Sequence, residues 1–335
     1  AWKHMAPTFD ETFYSLSTTA TIKVIESGPL VSTIEASYNF AIPQDYADGN
    51  SRSANLVELP VEVRYRLEKN AKKLQVTTTI DNVAKDHLLR ACFPTSLNTD
   101  KSVADSHFDV VERDIALPDS TGWVERAFGT HPLRTFVGLS DGKNGLALLP
   151  KGIFEYEAID DQERTLALTL IRACRIKLAV SEEKQTELPD VGIQCPGRQS
   201  FSYDICVHAG TWEDAALLSE AATGYTAVRA AQIGRGKGDL PLEASLLTLD
   251  NTVLHISAIK PAEDGHGIIV RLFNPSAGLQ KVTLGFGQVI IGANRCGMDE
   301  SDQGGVGLNG DSINDEIPAK KIVSYRVMLA GKGRK

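Results

Sequence analysis

The sequence predicts a mainly-β protein in which one large antiparallel assembly is followed by a smaller one. Three observations carry that expectation. Apolar residues recur with period two far more often than with the helical period, turn dipeptides such as Asp141-Gly142, Asn50-Ser51 and Asn309-Gly310 separate the runs, and only one segment is built like a helix. In residues 61–67, Val61, Val63, Tyr65 and Leu67 share a face opposite Glu62, Arg64 and Arg66. Leu74, Val76, Thr78 and Ile80 repeat the pattern, as do Val323, Tyr325, Val327 and Leu329 near the end. Such alternation gives strands with one buried and one wet face, the habit of antiparallel sheets. Further strands are expected over 21–26, 30–40, 108–113, 135–139, 145–149, 165–172, 201–207, 253–259, 268–273, 281–286 and 289–292. Thr211-Trp212-Glu213-Asp214 has the form of a capping box, which predicts a helix over 215–222 ended by Gly224. A parallel α/β fold would need alternating helical segments, and they are missing.

Residues 1–20 read as a leader or linker, 21–235 as the large sandwich domain and 236–335 as the smaller one. The boundary falls in the Gly-rich polar stretch Arg235-Gly236-Lys237-Gly238-Asp239-Leu240-Pro241. At 335 residues the chain exceeds one ordinary core. The 35 Lys and Arg against 43 Asp and Glu give a net charge of −8, which argues against nucleic acid and anionic membrane surfaces as partners. The apolar run over 166–180 is interrupted by Arg172, Arg175 and Lys177, so no membrane span is expected. Five cysteines, odd in number and without a C-x-x-C, point to reduced thiols. The opening residues lack the apolar core of a secretory signal, and the two observations together predict a cytoplasmic location.

Candidate chemistry is sparse. Phosphate loops, H-E-x-x-H and the G-x-S-x-G elbow are absent. Gly304-Gly305-Val306-Gly307, flanked by acidic residues, reads as a mobile acidic loop that matches no calcium spacing rule. His107-Phe108-Asp109 places two metal-competent side chains on one strand face, although a half-exposed strand pair is the commoner meaning. Glu155 and Glu157 share a face by alternation, and two charges on a solvated strand explain them without catalysis. Most suggestive is Asp86-His87-Leu88-Leu89-Arg90, where an acid, an imidazole and a guanidinium either bind a polyol or tie a strand end down through buried hydrogen bonds.

Taken together, several segments resemble the non-catalytic half of glycoside hydrolase family 38, the α-mannosidases and mannosylglycerate hydrolases. They are Asp86-His87-Leu88-Leu89-Arg90 with Phe93-Pro94-Thr95; Ser106-His107-Phe108-Asp109-Val110-Val111-Glu112-Arg113; and Gly138-Leu139-Ser140-Asp141-Gly142 through Gly152-Ile153-Phe154-Glu155-Tyr156-Glu157. Leu168-Thr169-Leu170-Ile171-Arg172, Gln194-Cys195-Pro196-Gly197 and Leu272-Phe273-Asn274-Pro275-Ser276 complete the set. The resemblance runs roughly from Thr21 to Leu329. It implies a galactose-mutarotase-like β-supersandwich followed by a smaller antiparallel β-sandwich.

The resemblance also implies that an N-terminal α/β domain carries the zinc ligands and the nucleophilic aspartate, that a helical bundle supplies one more metal-binding histidine, and that neither region is in these residues. In the whole enzyme zinc would hold vicinal mannose hydroxyls, one carboxylate would attack the anomeric carbon and a second would protonate the leaving oxygen, with retention. This chain is therefore expected to have no catalytic residue, no metal ligand and no cofactor of its own. Asp86, His87 and Arg90 are its candidates for the rim of the substrate site. Its expected partners are the catalytic domain or subunit and the carbohydrate substrate; an orphan docking face would otherwise drive self-association into a homo-oligomer. Two other readings compete: a stand-alone carbohydrate-binding protein, and a mutarotase-like epimerase joining His87, His131 or His208 to a carboxylate.

Overall fold

The computed structural model describes residues 7–47, 51–174, 177–178, 186–187, 192–226, 228–234, 236 and 241–330. The chain divides into two compact units: Ala1–Ser102 with Arg113–Gly210, and Val103–Glu112 with Thr211–Lys335. The Arg235–Leu240 stretch, where the sequence places a domain boundary, lies outside the described residues except for Gly236.

The first unit contains β1 (Thr21–Ser27), β2 (Val31–Pro43), β3 (Leu56–Glu68), β4 (Leu74–Asn82) and β5 (Leu88–Phe93). Then come β6 (Lys101–Ser106) and β7 (Asp109–Asp114), whose residues Val103–Glu112 fall in the second unit, and, back in the first, β8 (Thr130–Pro132), β9 (Val137–Ser140), β10 (Asn144–Lys151), β11 (Glu155–Ala158) and β12 (Leu166–Arg172). The short β13 (Lys177–Leu178) and β14 (Thr186–Glu187) pair with each other, and β15 (Gly197–Ala209) closes the unit. Within this unit the larger sheet runs β1-β2-β3-β4-β15-β10-β9, and the smaller β5-β12-β11-β8. Period-two alternation sends Leu59, Val61, Val63, Val76 and Ile80 to the buried face. Phe93 of the smaller sheet meets Tyr203 of the larger edge to face, with ring centroids 5.9 Å apart. On the opposite face of the larger sheet, Arg64 bonds Glu35 at 2.9 Å and Glu62 at 3.1 Å, so the polar residues of the alternation pair across and along strands.

The second unit holds α1 (Leu217–Tyr225), β16 (Leu247–Leu249), β17 (His255–Pro261), β18 (Ile268–Phe273), β19 (Gln280–Phe286) and β20 (Ile290–Cys296). It ends with β21 (Asp302–Gly305), β22 (Gly307–Asn309), β23 (Ser312–Ile317) and β24 (Ile322–Leu329). Two sheets, β16-β19-β23-β22 and β17-β18-β24-β20-β21, enclose one apolar core that includes Val270, Leu272, Leu284, Ile313, Tyr325 and Val327. The phenol of the fully buried Tyr325 donates to Asp315 Oδ2 at 2.8 Å, and Arg295 Nε donates to the same oxygen at 2.8 Å. This polar tie joins β24 and β20 of one sheet to β23 of the other. The chain is thus mainly β: a supersandwich followed by a smaller antiparallel sandwich.

Three local expectations are corrected. The capping box forms, with Thr211 N donating to Asp214 Oδ2 at 2.8 Å and Asp214 N to Thr211 Oγ1 at 3.3 Å, but it closes a turn. Ala216 is left-handed at φ 51°, so the helix begins at Leu217 and runs past Gly224 to Tyr225. The Gly304–Gly307 region is not a loop: Asp302–Gly305 pairs with β20 and Gly307–Asn309 with β23, as short edge strands whose exposed faces need no apolar side chains. His107 and Phe108 form the turn between β6 and β7, with Phe108 at φ 58°, so His107 and Asp109 do not share a strand face. Within the second unit, Phe108 packs edge to face on Phe273 at 5.6 Å and Asp109 accepts from Lys320 at 2.5 Å.

Candidate functional site

The Asp86–Arg90 segment lies where β4 gives way to β5, and the structure separates its three charged or titratable side chains. Asp86 is 1% exposed and left-handed at φ 50°, a conformation that Asp tolerates better than most residues. It exchanges two hydrogen bonds with Gln194, itself 3% exposed: Asp86 N donates to Gln194 Oε1 and Gln194 Nε2 to Asp86 Oδ1, both at 2.8 Å. Asn82 Nδ2 holds the carbonyls of Gln194 and Cys195 at 2.9 Å each. Arg52 donates to the Asp86 carbonyl while its Nε reaches Asp10 at 2.8 Å and its guanidinium lies 5.0 Å from the Tyr46 ring centroid. His87 is buried, and its carbonyl accepts from Ala173 N at 2.9 Å. Asp86 and His87 thus sit inside the junction that anchors the start of β5.

Arg90 stands apart from them, on the outer face of the smaller sheet. Register pairs Arg90 with Thr169, Ala167 with Cys92 and Glu157, and Glu157 with Thr130. Period two then gathers Arg90, Thr169, Glu155, Glu157 and Thr130 on one face and leaves Leu89, Ala91, Leu168 and Tyr156 facing the core. Arg172 joins the polar face because a β-bulge between Thr169 and Ile171 shifts the register, so that Arg172 pairs with Leu88. Unbulged alternation would place Thr169 and Arg172, three residues apart, on opposite faces.

Both carboxylates on this face are neutralised. Arg90 Nη1 meets Glu157 Oε2 at 2.6 Å and its Nη2 donates to Thr130 Oγ1 at 3.4 Å; Arg172 Nη1 donates to Glu155 Oε2 at 2.8 Å. Gly129 leaves room for this arrangement, since a Cβ there would lie 2.5 Å from Glu157 Oε1. Glu155 and Glu157 are therefore ion-paired side chains rather than an acid–base couple. Nearby, desolvation pushes the His131 imidazole below its ordinary pKa; Arg113 adds to that effect and Glu157 opposes it. The His131 ring lies 6.0 Å from Tyr156, and His208 Nδ1 lies 3.2 Å from the Ala209 carbonyl oxygen. Among the described residues, neither histidine is hydrogen-bonded to a carboxylate, and no group of three or more His, Cys, Asp or Glu stands together as a metal site. All five cysteines are free thiols, and burial raises the pKa of Cys92, Cys174 and Cys296. No helix among the described residues is long and apolar enough to cross a membrane.

Comparison with known proteins places this two-unit β architecture. The description "Glycosyl hydrolases family 38 C-terminal domain" matches residues 1–177, and "Glycosyl hydrolases family 38 C-terminal beta sandwich domain" matches residues 254–325. The chain belongs to glycosyl hydrolase family 38 and carries that family's C-terminal domains. It is 30% identical over 273 residues to a "Putative mannosylglycerate hydrolase" of Halalkalibacterium halodurans, a match covering 76% of this chain and 29% of the relative. It shares its fold with an α-mannosidase crystal structure from Enterococcus faecalis V583, at a TM-score of 0.82, 24% identity and 96% coverage of this chain against 36% of that one. A family 38 protein from Enterococcus faecalis gives a TM-score of 0.80 at 23% identity, covering 96% of this chain and 38% of that one. The chain thus spans less than two-fifths of the length of these relatives.

Proposed function

We propose that this chain is the β-sandwich portion of an α-mannoside-hydrolysing enzyme, and that it buttresses a catalytic portion lying outside these residues. The observation that carries the reading is the pair of family matches, in order along the chain, within relatives roughly three times its length. Zinc, which the family resemblance assigns to the catalytic portion, finds no fitting donor set among the described residues.

Within this reading Arg90 is the rim residue that reaches toward substrate, and Asp86 and His87 are the residues that fix its strand. Arg90 is held by Glu157 and Thr130, which limits its rotamers and preorganises its remaining donors for hydroxyl groups. Asp86, through Gln194, holds the turn two residues before β5 begins.

The test is assembly. The chain is mixed with the portion of the Halalkalibacterium halodurans relative that lies outside the matched residues, and native mass spectrometry is recorded. A one-to-one complex supports the reading. Two components that stay separate, while each remains folded by circular dichroism, would refute it.

A further inference from the structure

We propose that the first unit carries, along its smaller sheet and beside Phe201 of the larger one, a binding cleft for the pyranose ring of a neutral sugar, centred on Phe154 and Thr169. The cleft encloses about 370 Å³ and is lined by Phe154, Glu155, Thr169, Leu170, Arg172 and Phe201. That volume lies within the range of about 300–1,000 Å³ typical of small-molecule sites.

Three features define the ligand. Phe154 is 63% exposed, a large flat apolar ring left in water where phenylalanine is ordinarily buried. The C–H face of a pyranose is the complement of such a ring: apolar on one side, with hydroxyls around its edge. Beside it, the ion pair between Glu155 and Arg172 offers both acceptors and donors while carrying no net charge, which favours a polyol over an anion. At the back, Thr169 is 7% exposed, and its Oγ1 is buried without a hydrogen-bond partner. A buried hydroxyl with no partner is uncommon in a native fold, and a ligand hydroxyl that reached it would supply the missing bond.

The backbone explains why these groups meet. Gly152, at φ 87°, turns the corner between β10 and β11, and open space surrounds the position a Cβ would take there. Phe154 follows that corner and lines the cleft together with Glu155. Across the sheet, the bulge at Leu170 rotates Arg172 onto the face of Thr169, the re-aiming that bulges provide next to binding sites. The cleft lies beside the Arg90–Glu157 pair without including it, and the inference stands whether or not the chain assembles with a catalytic portion.

The experiment uses the full chain and methyl α-mannopyranoside, followed by saturation-transfer NMR and titration calorimetry, with gluconate as the anionic comparison. Binding with a Kd on the order of 1 mM is expected for the neutral sugar and none for gluconate. Phe154→Ala should weaken binding about tenfold or more, and Phe154→Tyr should retain it. Thr169→Val, which keeps shape and removes the orphan hydroxyl, should weaken binding about fivefold while leaving the thermal midpoint unchanged or higher. A merely structural role for Thr169 would lower the midpoint and leave sugar affinity alone. Absence of transfer from the sugar, equal binding of gluconate, or undiminished binding by Thr169→Val would each overturn the proposal.

Discussion

Replacing Gln194 by leucine tests how the Asp86 junction is held. The substitution nearly conserves volume but removes two reciprocal bonds of 2.8 Å, one from the Asp86 backbone N–H and one to its carboxylate, at residues that are almost fully buried. The Nε2 donor bonds a carboxylate, and such bonds contribute about 1.5–3 kcal/mol. The Asp86 N–H loses its acceptor in the same step, and an unsatisfied buried donor costs about 1–3 kcal/mol. Leucine recovers part of this through added apolar burial, so a net loss of about 3 kcal/mol is expected. The first unit contains about 200 residues, for which each kcal/mol moves the midpoint by about 2–4 °C, giving a fall of about 6–12 °C. Thermal unfolding by circular dichroism reads that shift, and amide exchange of residues 83–93 should accelerate because β5 starts two residues beyond the junction. Asp86→Asn keeps an oxygen for the Gln194 amide and tolerates φ 50°, so it should cost less than half as much. A shift below about 2 °C for Gln194→Leu, or an Asp86→Asn variant less stable than it, would refute the reasoning.

Three further outcomes follow from the two units. In the second unit, burial raises the Asp315 pKa, but the hydrogen bonds from Arg295 and Tyr325 outweigh it and hold the carboxyl below its ordinary 3.8. The stability this supplies is present above that value and lost as pH falls through the folded one; Tyr325→Phe should cost about 1–3 kcal/mol at neutral pH and weaken this acid dependence, read from urea midpoints across pH. Gly267→Ala should destabilise by more than the 1–3 kcal/mol typical of a non-glycine residue at positive φ, because its Cβ would also lie 2.6 Å from the Val327 carbonyl oxygen, and urea unfolding checks it. His131, whose folded pKa is depressed, supplies stability present above pH 6.5 and lost as pH falls below it, so His131→Phe should flatten the stability slope on the acid side of that value.

The fold is legible in the sequence where one face of a strand is buried and the other wet. Val61, Val63, Val76 and Ile80 announce their strands because burial and alternation coincide. Elements that lack that contrast escape such a reading. The edge strands over Asp302–Gly305 and Gly307–Asn309 have every residue exposed, so their pairing comes from neighbours and not from side chains. The helix start is displaced from its expected position because the Thr211–Asp214 box serves a turn equally well and Ala216 then breaks the path.

The candidate site is half legible. Asp86, His87 and Arg90 are close in sequence, but their partners are Gln194, Ala173 and Glu157, set by long-range register that no local pattern carries. The bulge at Leu170 is a second such case: it alone decides that Thr169 and Arg172 share a face.

Aryl α-mannoside hydrolysis in the presence of added zinc tests most directly whether the chain is the supporting portion of a family 38 enzyme. The chain alone should release no aglycone above background, and adding the relative's remaining portion should bring turnover that depends on both components. Robust hydrolysis by the purified chain by itself would contradict the account.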